Sequence, residues 1–327
     1  RNFADGAFDS STAAEVLDLR LRGSYLLAGA AGQLGQELHP LLERLGTVVR
    51  VDRAVPHRDE DMLAQDLGEP GGVAALLDEI RPDWIVNAAA YTAVDPAEEH
   101  RDRAFRLNGE LPGQLAQWAA ARNAFLLHYS TDYVFPGDLD RPYRESDPVG
   151  PLNVYCESKL AGEQAVTASG CRHLTVRTSW VWSGQGNNFV LTMLRLAAER
   201  SELSIVDDQV GCPTWARNLA AASVNMAQQA AAAAGGDLCG LYHYCDADAL
   251  SWFEFAGRVF DIAVDLGLLD AAPVLSAVDS AGFPQKARRP GWSVLDASRA
   301  EQRFGIHRPG LDASLRTCLE EIRLARG

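Results

Sequence analysis

The stretch Tyr25-Leu26-Leu27-Ala28-Gly29-Ala30-Ala31-Gly32-Gln33-Leu34-Gly35 passes from an apolar segment of strand type into three glycines spaced three apart. A helical pattern over 36–45 follows. In that order the glycines let the backbone turn and come close to a pyrophosphate. The free N–H groups and positive dipole end of the helix then attract the phosphate charge. A second apolar run, Thr47-Val48-Val49-Arg50-Val51, ends at Asp52-Arg53. An acidic residue about 20 positions beyond the glycines is placed to read a ribose hydroxyl. Arg53 beside it could instead meet a 2′-phosphate, which leaves NAD and NADP both open.

Working outward, Gln65-Asp66-Leu67 falls in a loop, where Asp66 either reaches an adenine or caps the helix expected over 73–80. A third apolar run, Asp83-Trp84-Ile85-Val86-Asn87, closes in Ala88-Ala89-Ala90-Tyr91-Thr92, small enough at first for a flat cofactor to lie against the backbone. A helix over 103–121 precedes a fourth run over 124–129, which leads into Ser130-Thr131-Asp132. A fifth, over 173–177, leads into Thr178-Ser179-Trp180. Continuous apolar strands alternating with amphipathic helices specify an α/β fold, a Rossmann-type doubly wound parallel sheet covered on both faces. Such sheets bind ligands beyond the carboxyl ends of their strands. Ser130 and Thr131 therefore stand where a hydroxyl can donate to a substrate carbonyl, or where it simply shapes a turn.

After the fifth strand the rhythm loosens. Helices are expected over 189–199, 219–234, 252–266 and 311–325, with short strands over 203–206 and 241–244. This pattern fits a smaller mixed α/β C-terminal substrate domain. The expected division is a dinucleotide-binding part over 24–178 and a mainly substrate-binding part over 179–327, some segments of which return to the first. Residues 1–23 are polar and weakly patterned, a linker or tail with one possible helix over 11–21.

The chemistry concentrates in Asn153-Val154-Tyr155-Cys156-Glu157-Ser158-Lys159. Pro151 upstream and an apolar run downstream suit a helix beginning near Asn153. Tyr155 and Lys159 then lie one turn apart on one face. A phenol titrates near pH ~10 and is a poor acid at neutrality. An ammonium one turn away favours the phenolate and brings that value towards the working range. Of 30 basic side chains only Lys159 and Lys286 are lysine. A lysine kept four residues after a tyrosine points to a role the flat guanidinium cannot fill. Lys286-Ala287-Arg288-Arg289-Pro290 concentrates positive charge near the end of the chain, and paired guanidiniums match a diphosphate bidentately.

Composition narrows the partners. A net charge of −14 argues against nucleic acid or anionic membrane. No apolar run approaches the roughly 20 residues that span a bilayer, and no signal peptide is visible. The six cysteines are scattered, with no Cys-x-x-Cys pair, which fits reduced thiols, a cytoplasmic setting and no zinc site. Arg1 in place of methionine points to a trimmed or partial chain.

Taken together, these segments resemble the extended short-chain dehydrogenase/reductases. The carrying stretches are GAAGQLGQEL from Gly29, RPDWIVNAAAYTAVDPAE from Arg81, HYSTDYVFPG from His128 and PLNVYCESKLAGE from Pro151. RTSWVWSGQGNNFVLTMLRLA from Arg177, VDDQVGCPT from Val206 and ARRP from Ala287 complete them, so that the resemblance spans residues 24–325. The later stretches are those of reductases acting on dTDP-4-ketosugars. The resemblance implies hydride transfer from NADPH or NADH to C4 of a dTDP-4-keto-6-deoxy-L-hexose. Tyr155 would give a proton to the developing alkoxide, Lys159 would hold the nicotinamide ribose, and Thr131 would hydrogen-bond the same oxygen. Cofactor contacts carry over to Gly29, Gly32, Gln33, Leu34, Gly35, Asp52, Arg53, Asp66, Leu67, Ala90, Tyr91, Thr92, Tyr155 and Lys159. Substrate contacts carry over to Thr131, Asp132, Tyr155 and Trp180, with Arg288 and Arg289 at the diphosphate.

Some positions depart from the pattern. Cys156 stands where relatives carry glycine, and Trp182 where tyrosine is usual. Some relatives dimerise through a magnesium held by glutamates. Glu37 matches one of these, but Arg217 replaces an expected acid, so no metal is expected, and the chain should be a monomer or weak homodimer. Two other functions share the fold. One is a nucleotide-sugar epimerase or dehydratase holding NAD tightly; the other is a non-catalytic regulatory subunit. Retention of the Tyr155/Lys159 pair favours an enzyme.

Overall fold

Seven strands, paired in parallel throughout, form the centre of the molecule. The computed structural model describes residues 23–326 apart from 56–58, 60, 70, 283 and 284, so the helix expected over 11–21 lies outside the described residues. The chain runs through β1 (Gly23–Ala28), α1 (Gln33–Glu43), β2 (Gly46–Asp52), β3 (Met62–Ala64), α2 (Gly72–Ile80) and β4 (Trp84–Asn87). Two short helices, α3 (Val94–Ala97) and α4 (Arg101–Phe105), lead through a π-helical turn (Arg106–Glu110) to α5 (Leu111–Arg122) and β5 (Phe125–Thr131). Next come α6 (Val154–Ala168), β6 (Arg172–Thr178), β7 (Val181–Trp182), α7 (Phe189–Glu199), β8 (Glu202–Val206), β9 (Val210–Gly211) and β10 (Thr214–Trp215). The rest is α8 (Ala216–Ala232), β11 (Gly240–His243), β12 (Leu250–Ser251), α9 (Trp252–Asp265), β13 (Val274–Val278), α10 (Ser298–Phe304) and α11 (Leu311–Arg326).

The sheet order is β11-β6-β5-β4-β1-β2-β3. Every residue of β4 and β5 is buried, as expected where helices cover both faces. On one side Leu27, Val86, Leu127 and Leu174 pack with Leu38 of α1 and Leu219 of α8. On the other, Leu26, Ile85 and Leu126 pack with Leu76 of α2 and Leu111 and Leu115 of α5. Each such side chain contributes about 1.5–3 kcal/mol by leaving water. The strand order reverses at β1, between β2 and β4, and this opens a crevice at the carboxyl ends where a ligand can lie.

A second core gathers Trp182, Val190, Met193, Trp215, Phe255, Phe260, Leu315 and Leu319. Three two-stranded sheets, β10-β7, β12-β9 and β13-β8, frame this part of the chain. Two segments of the looser third rejoin the main sheet. β11 pairs with β6 at its edge, and α8 packs against α1 over the sheet. The helix expected over 103–121 is broken by the π-helical turn. Among the described residues no helix is long and apolar enough to cross a membrane.

Candidate active site

The glycine loop leaves β1 at Gly29, whose φ of 76° belongs to the left-handed region that glycine adopts without strain. A methyl on Gly29 would stand 2.5 Å from the Ala89 nitrogen, and one on Gly35 2.2 Å from the Gly29 carbonyl oxygen. These two glycines therefore pack the loop against the end of β4 and against itself. Gly32 differs: a methyl there would meet only the Gly29 oxygen, at 3.2 Å. It is also the residue before α1, and no side chain caps that helix start. Open backbone before an uncapped helix suits the pyrophosphate of a dinucleotide.

Several other expected cofactor contacts stand at or just after the carboxyl ends of β2, β3 and β4. Asp52, at the end of β2, accepts the Ala31 N–H at 3.0 Å, so one of its oxygens fixes the glycine loop. Arg53 is exposed. Asp66 accepts the Gly68 N–H at 2.9 Å and faces Arg103 at 3.7 Å; it shapes a turn and does not cap α2. Leu67 is buried, Leu34 packs against the core, and Thr92 is exposed. Gln33 reaches across to the Val181 carbonyl at 3.2 Å, joining the loop to β7. Beyond Ala90, the Tyr91 backbone is held at both ends by the Asn108 side chain, which accepts its N–H at 2.8 Å and donates to its carbonyl at 3.0 Å.

Asn108 lies on the π-helical turn and also donates to the Ser158 hydroxyl at 3.0 Å, linking this loop to α6. A methyl on Gly162 would stand 2.1 Å from the Asn108 carbonyl oxygen, so glycine there permits the approach. Neither residue was among the expected contacts. A buried polar side chain inside a helical pattern was the only signal, and π turns often mark functional sites.

Helix α6 begins as expected. Asn153 caps it by accepting the Cys156 N–H at 2.9 Å, and its amide donates to the Arg288 carbonyl at 2.8 Å. Tyr155 is partly exposed and, with Tyr91 and Phe105, packs on the small cluster of Ala97, Ala104 and Val154. Thr131, at the end of β5, is the neighbour that opposes the rise of the phenol's pKa. Lys159 is buried, and its amine donates to the Tyr129 carbonyl at 2.6 Å. One expectation needs correction. Burial raises the phenol's pKa above its ordinary value, and the groups acting on it besides burial are Thr131, Cys156 and Asp132. The Lys159 ammonium is not among those groups; its amine donates to the Tyr129 carbonyl. Burial in turn brings the lysine down to about 8, opposed by Glu163 one turn further along.

Asp132 is buried and pushed up to about 6, although the hydroxyls of Ser293, Ser179 and Thr131 support its charge. Ser179 donates to it at 2.7 Å and Thr131 at 3.0 Å, so Asp132 orients Thr131 from below. Trp180 adopts φ 44°, a rare conformation for a bulky residue. Its ring stacks on Trp252 with centroids 3.5 Å apart, and a methyl on Gly211 would stand 2.5 Å from it. Trp252, which opens α9, was not anticipated, since its position follows only from how the smaller lobe folds.

The basic segment divides in two. Arg289 pairs with Asp95 at 3.2 Å and Lys286 with Glu99, so both are engaged with the stretch around α3. Arg288 is exposed, its carbonyl held by Asn153. The expected pair of guanidiniums is therefore one available and one already paired. Cys156 is fully buried, and its thiol is pushed up to about 12 by that burial. Trp182, also buried, stacks at 5.8 Å on Trp215. Arg217 bridges Glu37 at 3.1 Å and Glu321 at 2.7 Å, so a guanidinium fills the space between these acids.

With this geometry in place, comparison with known proteins gives consistent matches. The family model described as RmlD substrate binding domain matches residues 24–324. A Shigella flexneri protein named dTDP-4-dehydrorhamnose reductase is 42% identical over 297 residues, 91% of this chain and 97% of its own. Among solved structures, a dTDP-4-dehydrorhamnose reductase from Clostridium acetobutylicum aligns with a TM-score of 0.80 at 32% identity, covering 92% of this chain and 99% of its own. Another from Bacillus anthracis, in complex with NADP, aligns with a TM-score of 0.79 at 32% identity, covering 93% and 99%.

Proposed function

The chain belongs to the RmlD substrate binding domain family, and on that premise we propose that it is a dTDP-4-dehydrorhamnose reductase. It reduces the C4 ketone of dTDP-4-dehydro-L-rhamnose to the alcohol of dTDP-L-rhamnose with NADPH or NADH. The observation that carries this is the juxtaposition of Tyr155 and Lys159 on α6 with the end of β5, where the Lys159 amine meets the Tyr129 carbonyl two residues before Thr131, beside an open glycine loop.

The bound nicotinamide supplies the hydride. Gly32, Gln33 and Leu34 would hold its pyrophosphate on the turn that Gly29 and Gly35 shape, while Asp52, Arg53, Asp66 and Leu67 would meet the adenosine end. Ala90, Tyr91 and Thr92 line the path towards the reacting carbon. Tyr155 gives its proton to the C4 oxygen as negative charge develops there. Thr131, whose hydroxyl proton goes to Asp132 in the free protein, turns it to the same oxygen when the ketone is bound, so that two donors meet the developing charge. Lys159 holds the nicotinamide ribose. Trp180, flat on Trp252, walls the deoxysugar. Arg288 meets the diphosphate first, and Arg289 follows by releasing Asp95.

The finer settings are part of the same proposal. Six free cysteines, all but Cys239 buried, support a cytoplasmic setting. The Arg217 bridge supports a monomer or weak homodimer that needs no divalent ion at those acids. The activity is tested by incubating the purified protein with NADPH and the epimerised ketosugar, following NADPH loss and product stereochemistry. One equivalent of NADPH consumed per dTDP-L-rhamnose formed is expected. Turnover on tightly held NAD without net oxidation would make the protein an epimerase or dehydratase.

A further inference from the structure

Asn153 applies the two ends of its side chain to different parts of the molecule. It is 5% exposed and stands just before the first residue of α6. Its Oδ1 accepts the Cys156 N–H at 2.9 Å, which is the helix cap. Its Nδ2 donates to the Arg288 carbonyl at 2.8 Å, across 135 positions of sequence. As a cap alone, serine or aspartate would serve about as well. What the amide adds is the donor, and that donor goes to the basic segment.

The backbone on which Arg288 stands is held on both sides. Asp95 accepts the Ala287 N–H at 3.0 Å, and Ala287 is buried. Pro290 packs on Gly137, where a methyl would stand 2.5 Å from the Pro290 Cβ. The Asn153 amide fixes the peptide between them, at the Arg288 carbonyl. Lys286 and Arg289 are paired with Glu99 and Asp95, whereas among the described residues Arg288 has no acidic partner. One exposed guanidinium therefore extends from a fixed stretch of backbone. That stretch is tied to the head of the helix carrying Tyr155, two residues beyond Asn153. A long side chain meets an anion with less loss of freedom when its backbone is already set.

We propose that Asn153 is the positioning residue of Arg288, its amide fixing the arginine's backbone against the start of α6. The diphosphate of a sugar nucleotide and the carbonyl that Tyr155 protonates are thereby met from one rigid corner. The proposal rests on Arg288 meeting the diphosphate, as in the function proposed above.

The test takes dTDP as its probe, so that it needs no turnover. Asn153→Ser keeps a cap, removes the amide donor and introduces no charge. Calorimetric titration of the full chain should show dTDP bound about 3- to 10-fold more weakly, the effect of losing one hydrogen bond. Arg288→Ala should weaken it about 10-fold or more, the effect of losing a charge-assisted contact. In Asn153→Ser/Arg288→Ala the serine should add less than about twofold, because it acts through the arginine. With the ketosugar, KM of Asn153→Ser should rise by the same factor as the dTDP dissociation constant, while kcat and the melting temperature follow the retained cap. Asn153→Ser binding dTDP as wild type does, or losing the full factor again when residue 288 is already alanine, overturns the proposal; a weakened Arg288→Ala then still keeps that arginine at the diphosphate. A joint fall in kcat and melting temperature also overturns it, by making Asn153 a structural cap only. Arg288→Ala binding dTDP no worse than wild type removes the diphosphate from Arg288, and the proposal with it.

Discussion

Two glycines of the same loop should fail in different ways when each is replaced by alanine. In Gly35→Ala the new methyl would lie 2.2 Å from the Gly29 oxygen and 2.8 Å from the Ala30 Cα, so the loop must retreat by about 1 Å. Forcing a methyl into a packed site costs about 1–3 kcal/mol. For a chain of this size that lowers the melting temperature by about 1–5 °C. In Gly32→Ala the methyl meets one atom at 3.2 Å and otherwise open space, so the unliganded protein should melt close to wild type. The same methyl stands where backbone must approach a phosphate. NADPH affinity should therefore fall about 10- to 100-fold, equivalent to about 1.4–2.8 kcal/mol. Calorimetric melting of the unliganded variants and fluorescence titration with NADPH separate the two effects. A Gly32→Ala protein that binds NADPH within about threefold of wild type would remove the phosphate from this loop and the reasoning with it.

Tyr155→Phe should lower kcat by about 100-fold or more, the usual cost of a positioned proton donor, with NADPH binding preserved in the same titration; Lys159→Arg should also fail despite keeping its charge. Near-normal turnover of either variant rejects its role. Activity that needs the Lys159 ammonium should disappear as pH rises through about 8. Stability should move the other way. The folded pKa lies below the unfolded value, so the unfolded chain binds more protons between about 8 and 10.5, and this group's contribution to stability increases across that window. Lys159→Met should abolish that increase in pH-dependent denaturation; an unaltered profile counts against the burial of the amine. Gly211→Ala would press a methyl to 2.5 Å from the Trp180 ring and loosen its stack on Trp252. An aromatic contact is worth about 0.5–1.5 kcal/mol, so KM for the sugar nucleotide should rise about 2- to 10-fold with NADPH affinity unmoved. An unchanged KM means the sugar does not lie against Trp180.

The strands and helices with strong periodicity were legible in the sequence. The apolar run over 124–129 became β5 (Phe125–Thr131), and the helix read from Asn153 starts at Val154 with Asn153 as its cap. β3 was not legible, because a strand of only Met62–Ala64 shows no alternation to read. β13 was missed for another reason: its register with β8 is a long-range pairing that leaves most of its residues exposed. In the site, the spacing of Tyr155, Lys159 and the glycines carried over directly, since each depends on local geometry. The electrostatic link between Tyr155 and Lys159 did not. Helical spacing places two side chains on one face, but whether the amine turns to a phenol or to the Tyr129 carbonyl depends on how α6 sits on β5. The engagement of Arg289 with Asp95 was invisible for the same reason, being set by a contact between distant segments.

The pairing of β11 with β6 bears on where this molecule can be cut. Its seventh strand arrives only after residues 179–239 have left the sheet and come back. A fragment ending anywhere in that excursion keeps the crevice and both flanks of β1, yet presents β6 as a raw border of unpaired N–H and C=O groups along Leu174–Arg177. Such a border recruits any neighbouring strand, including one from another fragment. Shortened versions should therefore keep the chain through β11, since the other border is closed by β3, a strand of only three residues.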